Sequence, residues 1–351
     1  MEEGRGWRWG VNRWLILVLI ALGYFAAQAY PPILPHIQVP AEALSESPLF
    51  TLPVIGEFYL TNTIVAVLVA DVILILLALL VRRAVSSGEF ALRGIAGAVQ
   101  TIVEALYELT ESTAGKKARQ IFPWMASIVL LVLVVNWTEL FPGVDSIGFL
   151  HHDEHGYPVE TVAQIGDLEI QTIVEPEAGA VEHEGEHGED LYGVVPWVRV
   201  SSTDLNFTLA LALVSVVMTQ VIGVRALGLG YFSKFFDFSG FVKMWGRKDL
   251  GPFDVMMPFL DIFVGLLELV AEIAKIISFS FRLFGNIFAG TILLFVIGTL
   301  VPVLVQSGVL LLEFAVGLIQ ALVFGMLTLV FMTIATQGHG HDDEEHAEAH
   351  A

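Results

Sequence analysis

The sequence predicts an all-α polytopic membrane protein, and three observations carry that expectation. The 351 residues are 55% hydrophobic, with a mean hydropathy of +0.72, against roughly 45–50% apolar content in soluble domains. Several apolar runs reach the length of about 20 residues that a helix needs to cross a bilayer. Lysine and arginine gather in short segments and are absent from 143–198, and such an asymmetry orients spans. The expected fold has five transmembrane helices and a possible N-terminal anchor or signal helix. One interfacial amphipathic helix accompanies them, and the last two helices form a long tilted hairpin.

The elements follow in order. Residues 1–30 hold an apolar run from Trp14 to Ala29 behind Arg5, Arg8 and Arg13, and it ends in Ala27-Gln28-Ala29. That pattern reads either as a cleaved signal peptide or as a retained anchor. Residues 31–58 form an external segment with a Pro-rich start. Within 59–142, a span from about Leu60 to Val81 meets Arg82-Arg83 on the inner side. Residues 88–118 place Phe90, Leu92, Ile95, Val99, Ile102, Leu106 and Leu109 at helical spacing with Glu104, Glu108 and Glu111 between them, as in a helix lying along an interface. The run from Pro123 to Phe141 then goes outward.

Residues 143–203 are an acidic, His-rich external loop. Within 204–254, Leu205 to Val224 returns inward to Arg225, Lys234, Lys243, Arg247 and Lys248. Residues 255–336 are the hairpin, and 337–351 a tail of Gly, His and acid whose composition predicts disorder. The C-terminus lies on the inner side.

The composition also excludes classes. There is no cysteine, hence no disulfide or thiolate chemistry. The net charge of −20 resides in the outer loop and the tail. No basic patch exists for nucleic acid.

The chemistry gathers on one stripe. Glu268, Glu272, Lys275, Ser278, Arg282 and Asn286 are separated by four, three, three, four and four residues. At about 100° per residue they occupy roughly one third of a helix circumference. Glu313, Gly317 and Gln320 share a face of the following helix, which a hairpin would turn toward the Asn286–Gly290 region. Gly285, Gly290, Gly317 and Gly325 permit close helix approach or leave room for water. Buried polar groups can simply bond each other, but an intramembrane charge costs about 2.5–3.5 kcal/mol or more and usually marks an ion or proton pathway. Carboxylates relay protons, whereas arginine does not deprotonate in a protein. Arg282 is therefore a barrier in a line of relays and calls for a carboxylate on another chain.

The run Ser280-Phe281-Arg282-Leu283-Phe284-Gly285-Asn286-Ile287-Phe288-Ala289-Gly290, with Gln320 downstream, closely resembles subunit a of F-type ATP synthases. The similarity extends from about Leu60 to Ala335 in segment order. It implies a stator subunit that carries two proton half-channels against a rotating ring of c subunits and performs no ATP chemistry itself. Arg282 would be the essential arginine facing the ring carboxylate. Asn136, Glu139, Asn286, Glu313 and Gln320 would serve the outer route, and Glu268, Lys275 and Ser278 the inner one. Each proton crossing 100 mV contributes about 2.3 kcal/mol.

The implied partners are the c-ring, the subunit b peripheral stalk, the rest of the synthase, protons and the lipid bilayer. The implied place is a bacterial inner membrane, and no cofactor or metal is implied. One departure stands out: family members often pair an acid with a histidine on the last two helices, and here those positions hold Thr291 and Glu313.

Other readings are weaker. A membrane insertase with an arginine-bearing groove is the alternative, and an intramembrane protease comes third. His183-Glu184-Gly185-Glu186-His187 fits a zinc-protease pattern, but its internal glycine disfavours the helix that chemistry needs. His339, His341, His346 and His350 belong to a solvated tail. Asp204 and Asn206 fit helix capping or the outer route, while Trp7, Trp14 and Trp137 fit interface anchors.

Overall fold

A computed structural model describes residues 9–29, 33, 40–45, 47–53, 56–86, 94–141, 143–165, 168–174, 191–235, 252–301 and 303–337. The expectations for most of the Pro-rich run, the His183–His187 pattern, the basic residues Lys243, Arg247 and Lys248, and the C-terminal tail lie outside these residues.

The helices are α1 (Trp9–Ala29), α2 (Asn62–Ser86), α3 (Gly94–Ala114), α4 (Ala118–Thr138), α5 (Leu205–Leu227), α6 (Pro252–Leu300) and α7 (Leu304–Ala335). Among the described residues, five helical segments are long and apolar enough to cross a membrane: α2, the combined Gly94–Thr138, α5, Pro258–Leu300 and α7. The protein is an all-α polytopic membrane protein, as expected. Gly115, at a φ of +50°, opens the 3-10 turn Gly115–Lys117 that separates α3 from α4.

The chain folds into two compact units. The first comprises residues 1–68, 136–204 and 286–317. Here the segments expected to lie outside depart from plain loops. Strands β1 (Phe50–Leu52) and β2 (Gly56–Phe58) pair antiparallel, with Phe50 and Phe58 stacked at 4.6 Å. Strand β3 (Gly148–Tyr157) pairs with β6 (Tyr192–Pro196), and β4 (Val159–Ile165) with β5 (Leu168–Ile173). A side chain at Gly148 would enter the backbone of Val195, so that crossing needs glycine.

The start of α2 is tied to the external segment. Asn62 Nδ2 donates to Glu42 Oε2 at 3.0 Å, and Asn62 Oδ1 accepts from the Glu42 amide at 3.3 Å. Asp204, expected to cap α5, accepts from the Thr63 hydroxyl at 3.0 Å. Val303 turns α6 into α7 with a φ of +79°, a strained conformation for a β-branched residue.

The second unit comprises residues 69–135, 205–285 and 318–351. Its buried side chains include Ile121, Met125 and Val132 on α4 and Phe324, Leu329 and Met332 on α7. In lipid, helices associate through close packing and hydrogen bonds rather than the hydrophobic effect, and both occur here. The Ser215 and Thr328 hydroxyls lie 2.8 Å apart, those of Thr208 and Ser280 3.0 Å. Phe279 packs on Phe324 and Phe331 at ring distances of 5.2 and 5.6 Å. Leucine, isoleucine and phenylalanine side chains cover the outward faces of these helices, as a lipid solvent permits.

Candidate functional site

Arg282 lies on α6 in the second unit and is exposed, with Leu283 beside it fully buried. Its Nη2 makes a long contact of 3.5 Å with Ser278 Oγ, one turn earlier on the same face. Among the described residues no carboxylate pairs with it. Ile277 and Phe281 next to it are 51% and 56% exposed. The helix thus presents a permanent cation on an open face, between exposed Ser278 and Asn286 and beside apolar side chains. A charge placed so in a bilayer is costly without a partner.

Further along the stripe, the second unit encloses a cavity of about 460 Å³ lined by Lys234, Glu268, Glu272, Lys275, Tyr231 and Phe331, among others. Two of the expected inner residues, Glu268 and Lys275, therefore share one cavity, and Ser278 stands outside its lining. Glu272 and Lys234 are additions. Glu272 was visible on the stripe, but Lys234 read only as an inner-side charge. Lys234 arrives on the 3-10 segment Gly228–Lys234 that follows α5. Burial opposes its charge, but hydrogen bonds to Glu268 and Glu272 outweigh that and hold the ammonium above the ordinary lysine range.

The first unit holds most of the residues expected on the outer route. Asn136, Glu139, Thr291 and Glu313 are 4, 6, 7 and 5% exposed. Asn136 Nδ2 donates to the Gly317 carbonyl at 3.3 Å, and its Oδ1 accepts from Ser202 at 2.6 Å. Trp137 Nε1 donates to the Phe314 carbonyl at 3.2 Å, with the two rings stacked at 4.6 Å. These contacts join the end of α4 to the first half of α7. The Glu139 carboxylate bonds the Thr291 hydroxyl and lies within electrostatic reach of Glu313 and Asp145.

Gly290 lets α6 close on α7, since a side chain there would run into the Glu313 carboxylate. The structure thus brings Asn136, Glu139 and Glu313 into one unit, and adds Thr291 and Ser202. Thr291, which read as a missing titratable partner, is a hydroxyl partner of Glu139. Asn286 is exposed in this unit, whereas Gln320 is buried in the second. Asp145, on the turn after α4, has its carboxyl pushed up to about 6 by burial, with Arg199 opposing.

No group of histidines and acids among the described residues is arranged to hold a metal ion. What the site offers is proton chemistry: carboxylates, hydroxyls and amides in two clusters, and one arginine on an open helix face.

The chain is similar to known proteins. The family model described as ATP synthase A chain matches residues 63–333. The ATP synthase subunit a of Myxococcus xanthus is 35% identical over 169 residues, covering 45% of this chain and 50% of that protein. That of Moorella thermoacetica is 24% identical over 288 residues, covering 82% and 95%. The ATP synthase subunit a 1 of Hahella chejuensis is 33% identical over 152 residues, covering 42% and 54%. The chain spans about half the length of the first and third of these relatives, and 95% of the second.

Proposed function

The chain belongs to the ATP synthase A chain family, and from that premise we propose that it is the static half of a proton-driven rotary motor. The observation that carries this reading is Arg282: a cation on the open face of a membrane helix, with no carboxylate partner among the described residues. A ring of c subunits, each offering one carboxylate, supplies the partner. Beside Arg282 that carboxylate is favoured in its ionised form, so it releases its proton on arrival. It regains one only after moving away. Since the guanidinium does not deprotonate, protons cannot pass along the stripe through Arg282, and crossing requires the ring to turn.

In this reading the outer route uses Asn136, Glu139, Asn286, Glu313 and Gln320, with Thr291 as a hydroxyl relay beside Glu139. The inner route uses Glu268, Lys275 and Ser278. The remaining proposed partners are the subunit b stalk and the rest of the synthase, in a bacterial inner membrane, with the C-terminus inside and the acidic loop outside. The insertase alternative has no observation in its favour.

Cross-linking tests the docking. The chain has no cysteine, so a single cysteine at Ser278 or Asn286 can be paired with one beside the ring carboxylate. Disulfides at these positions, and none at buried Leu283, are expected. The reverse pattern overturns the reading.

A further inference from the structure

We propose that Lys234 is a positioning residue of the inner route: it bridges Glu268 and Glu272 so that both remain proton acceptors at the inner mouth. The proposal rests on the inner-route reading above and adds to it a residue on another segment.

The geometry is specific. Lys234 Nζ lies 2.7 Å from Glu268 Oε1 and donates to Glu272 Oε1 at 2.9 Å. Lys275 Nζ donates to that same Glu272 oxygen at 2.9 Å. The other oxygen, Glu272 Oε2, is buried without a hydrogen-bond partner among the described residues. The cavity of about 460 Å³ beside it has room for water, which occupies about 30 Å³ per molecule. Glu268 and Glu272 both line that space, so a proton arriving through water would be taken up at this carboxylate pair.

Charge gives Lys234 its role. Glu268 and Glu272 are one turn apart on α6, a spacing at which like charges repel. Lys275 bonds only Glu272, three residues away on the same helix. Among the described residues, Lys234 alone touches both carboxylates. With it present, two carboxylates face two ammoniums and the cavity is neutral. Without it, the pair is relieved most readily by holding one proton between them, and a relay that keeps its proton does not pass it on.

The other groups around Lys234 do not replace it. Tyr231 and Phe235 offer ring faces at 5.9 and 5.3 Å, and Tyr231 spends its hydroxyl proton on Gln220 at 2.6 Å. Phe331, on α7, stacks under Lys275 at 4.6 Å. Lys234 also reaches the cluster from outside α6, so it can be changed while the helix carrying the carboxylates keeps its own sequence.

The test uses inverted membrane vesicles containing the whole synthase, in which the inner face meets the bath and its pH is set directly. ATP-driven proton uptake is followed across bath pH. Lys234→Gln is expected to move the half-maximal point upward by about one pH unit, the scale of losing an adjacent opposite charge. Lys234→Arg is expected to keep the parental profile.

An unchanged profile in Lys234→Gln, or equal shifts in the Gln and Arg variants, overturns the proposal. If Lys234→Gln fails to assemble, Lys234→Met, which keeps the aliphatic stem without the charge, carries the test with the same expected upward shift. Failure of both while Lys234→Arg assembles makes Lys234 a folding contact and overturns the proposal too. Arg282→Ala in the same vesicles separates the two levels. If it still pumps, the parent reading fails; if it does not pump and Lys234→Gln is unshifted, only the Lys234 proposal fails.

Discussion

Ser202 donates its hydroxyl hydrogen to Asn136 Oδ1 across 2.6 Å. Since Asn136 Nδ2 donates to the Gly317 carbonyl at 3.3 Å, the amide is gripped at both ends. All three residues are buried. Ser202→Ala leaves a buried carbonyl oxygen without its donor, a loss of about 1–3 kcal/mol. The expected result is a lower melting temperature of the purified complex and faster hydrogen exchange at 136–141. An unchanged melting temperature would show that water replaces the serine.

Gly290 is the contact point between α6 and the Glu313 carboxylate. A methyl group at this position cannot coexist with Glu313 where it stands. Gly290→Ala is expected to assemble with the ring and to lose at least about tenfold in proton transport, a barrier change near 1.4 kcal/mol. Adding Glu313→Asp, one methylene shorter, should recover part of it. ATP-driven quenching of a pH dye reads both variants, and full transport in Gly290→Ala would contradict the proposed place of Glu313 in the route.

Asp145 gives the outer turn a pH dependence. Burial lifts its carboxyl from 3.8 to about 6, against the pull of Arg199. Between those values the folded turn holds a proton that the unfolded chain has released, so stability is full below about 4 and declines as pH rises toward 6. Protection of residues 143–150 from hydrogen exchange, corrected for intrinsic rates, should be greater at pH 4.5 than at pH 7. Asp145→Asn should flatten that slope. A slope that survives the substitution assigns it to another group.

The spans were legible because length and hydropathy are properties of consecutive residues, and Arg282 was legible because a charge in such a run is costly wherever it packs. Strands β3 and β6 were not. Residues His151 to His155 hide the alternation of a strand, and the partner lies about forty positions away, at Tyr192 to Pro196. Lys234 was missed for a similar reason, since its link to Glu268 and Glu272 depends on how Gly228–Lys234 folds back after α5. Thr291 read as the missing titratable partner of Glu313, and only the fold places its hydroxyl beside Glu139. Asp204 also makes a contact that no local rule shows: its side chain reaches Thr63 on another helix.

The central claim is that Arg282 separates two proton routes and forces protons onto a partner carboxylate. The direct measurement is ATP synthesis by vesicles holding the whole complex, energised by an imposed proton gradient, with Arg282→Ala compared with the parent. The account predicts that the variant assembles with the ring and makes no ATP, and that protons leak through it without rotation once the barrier is gone. ATP synthesis at the parental rate by Arg282→Ala would contradict it.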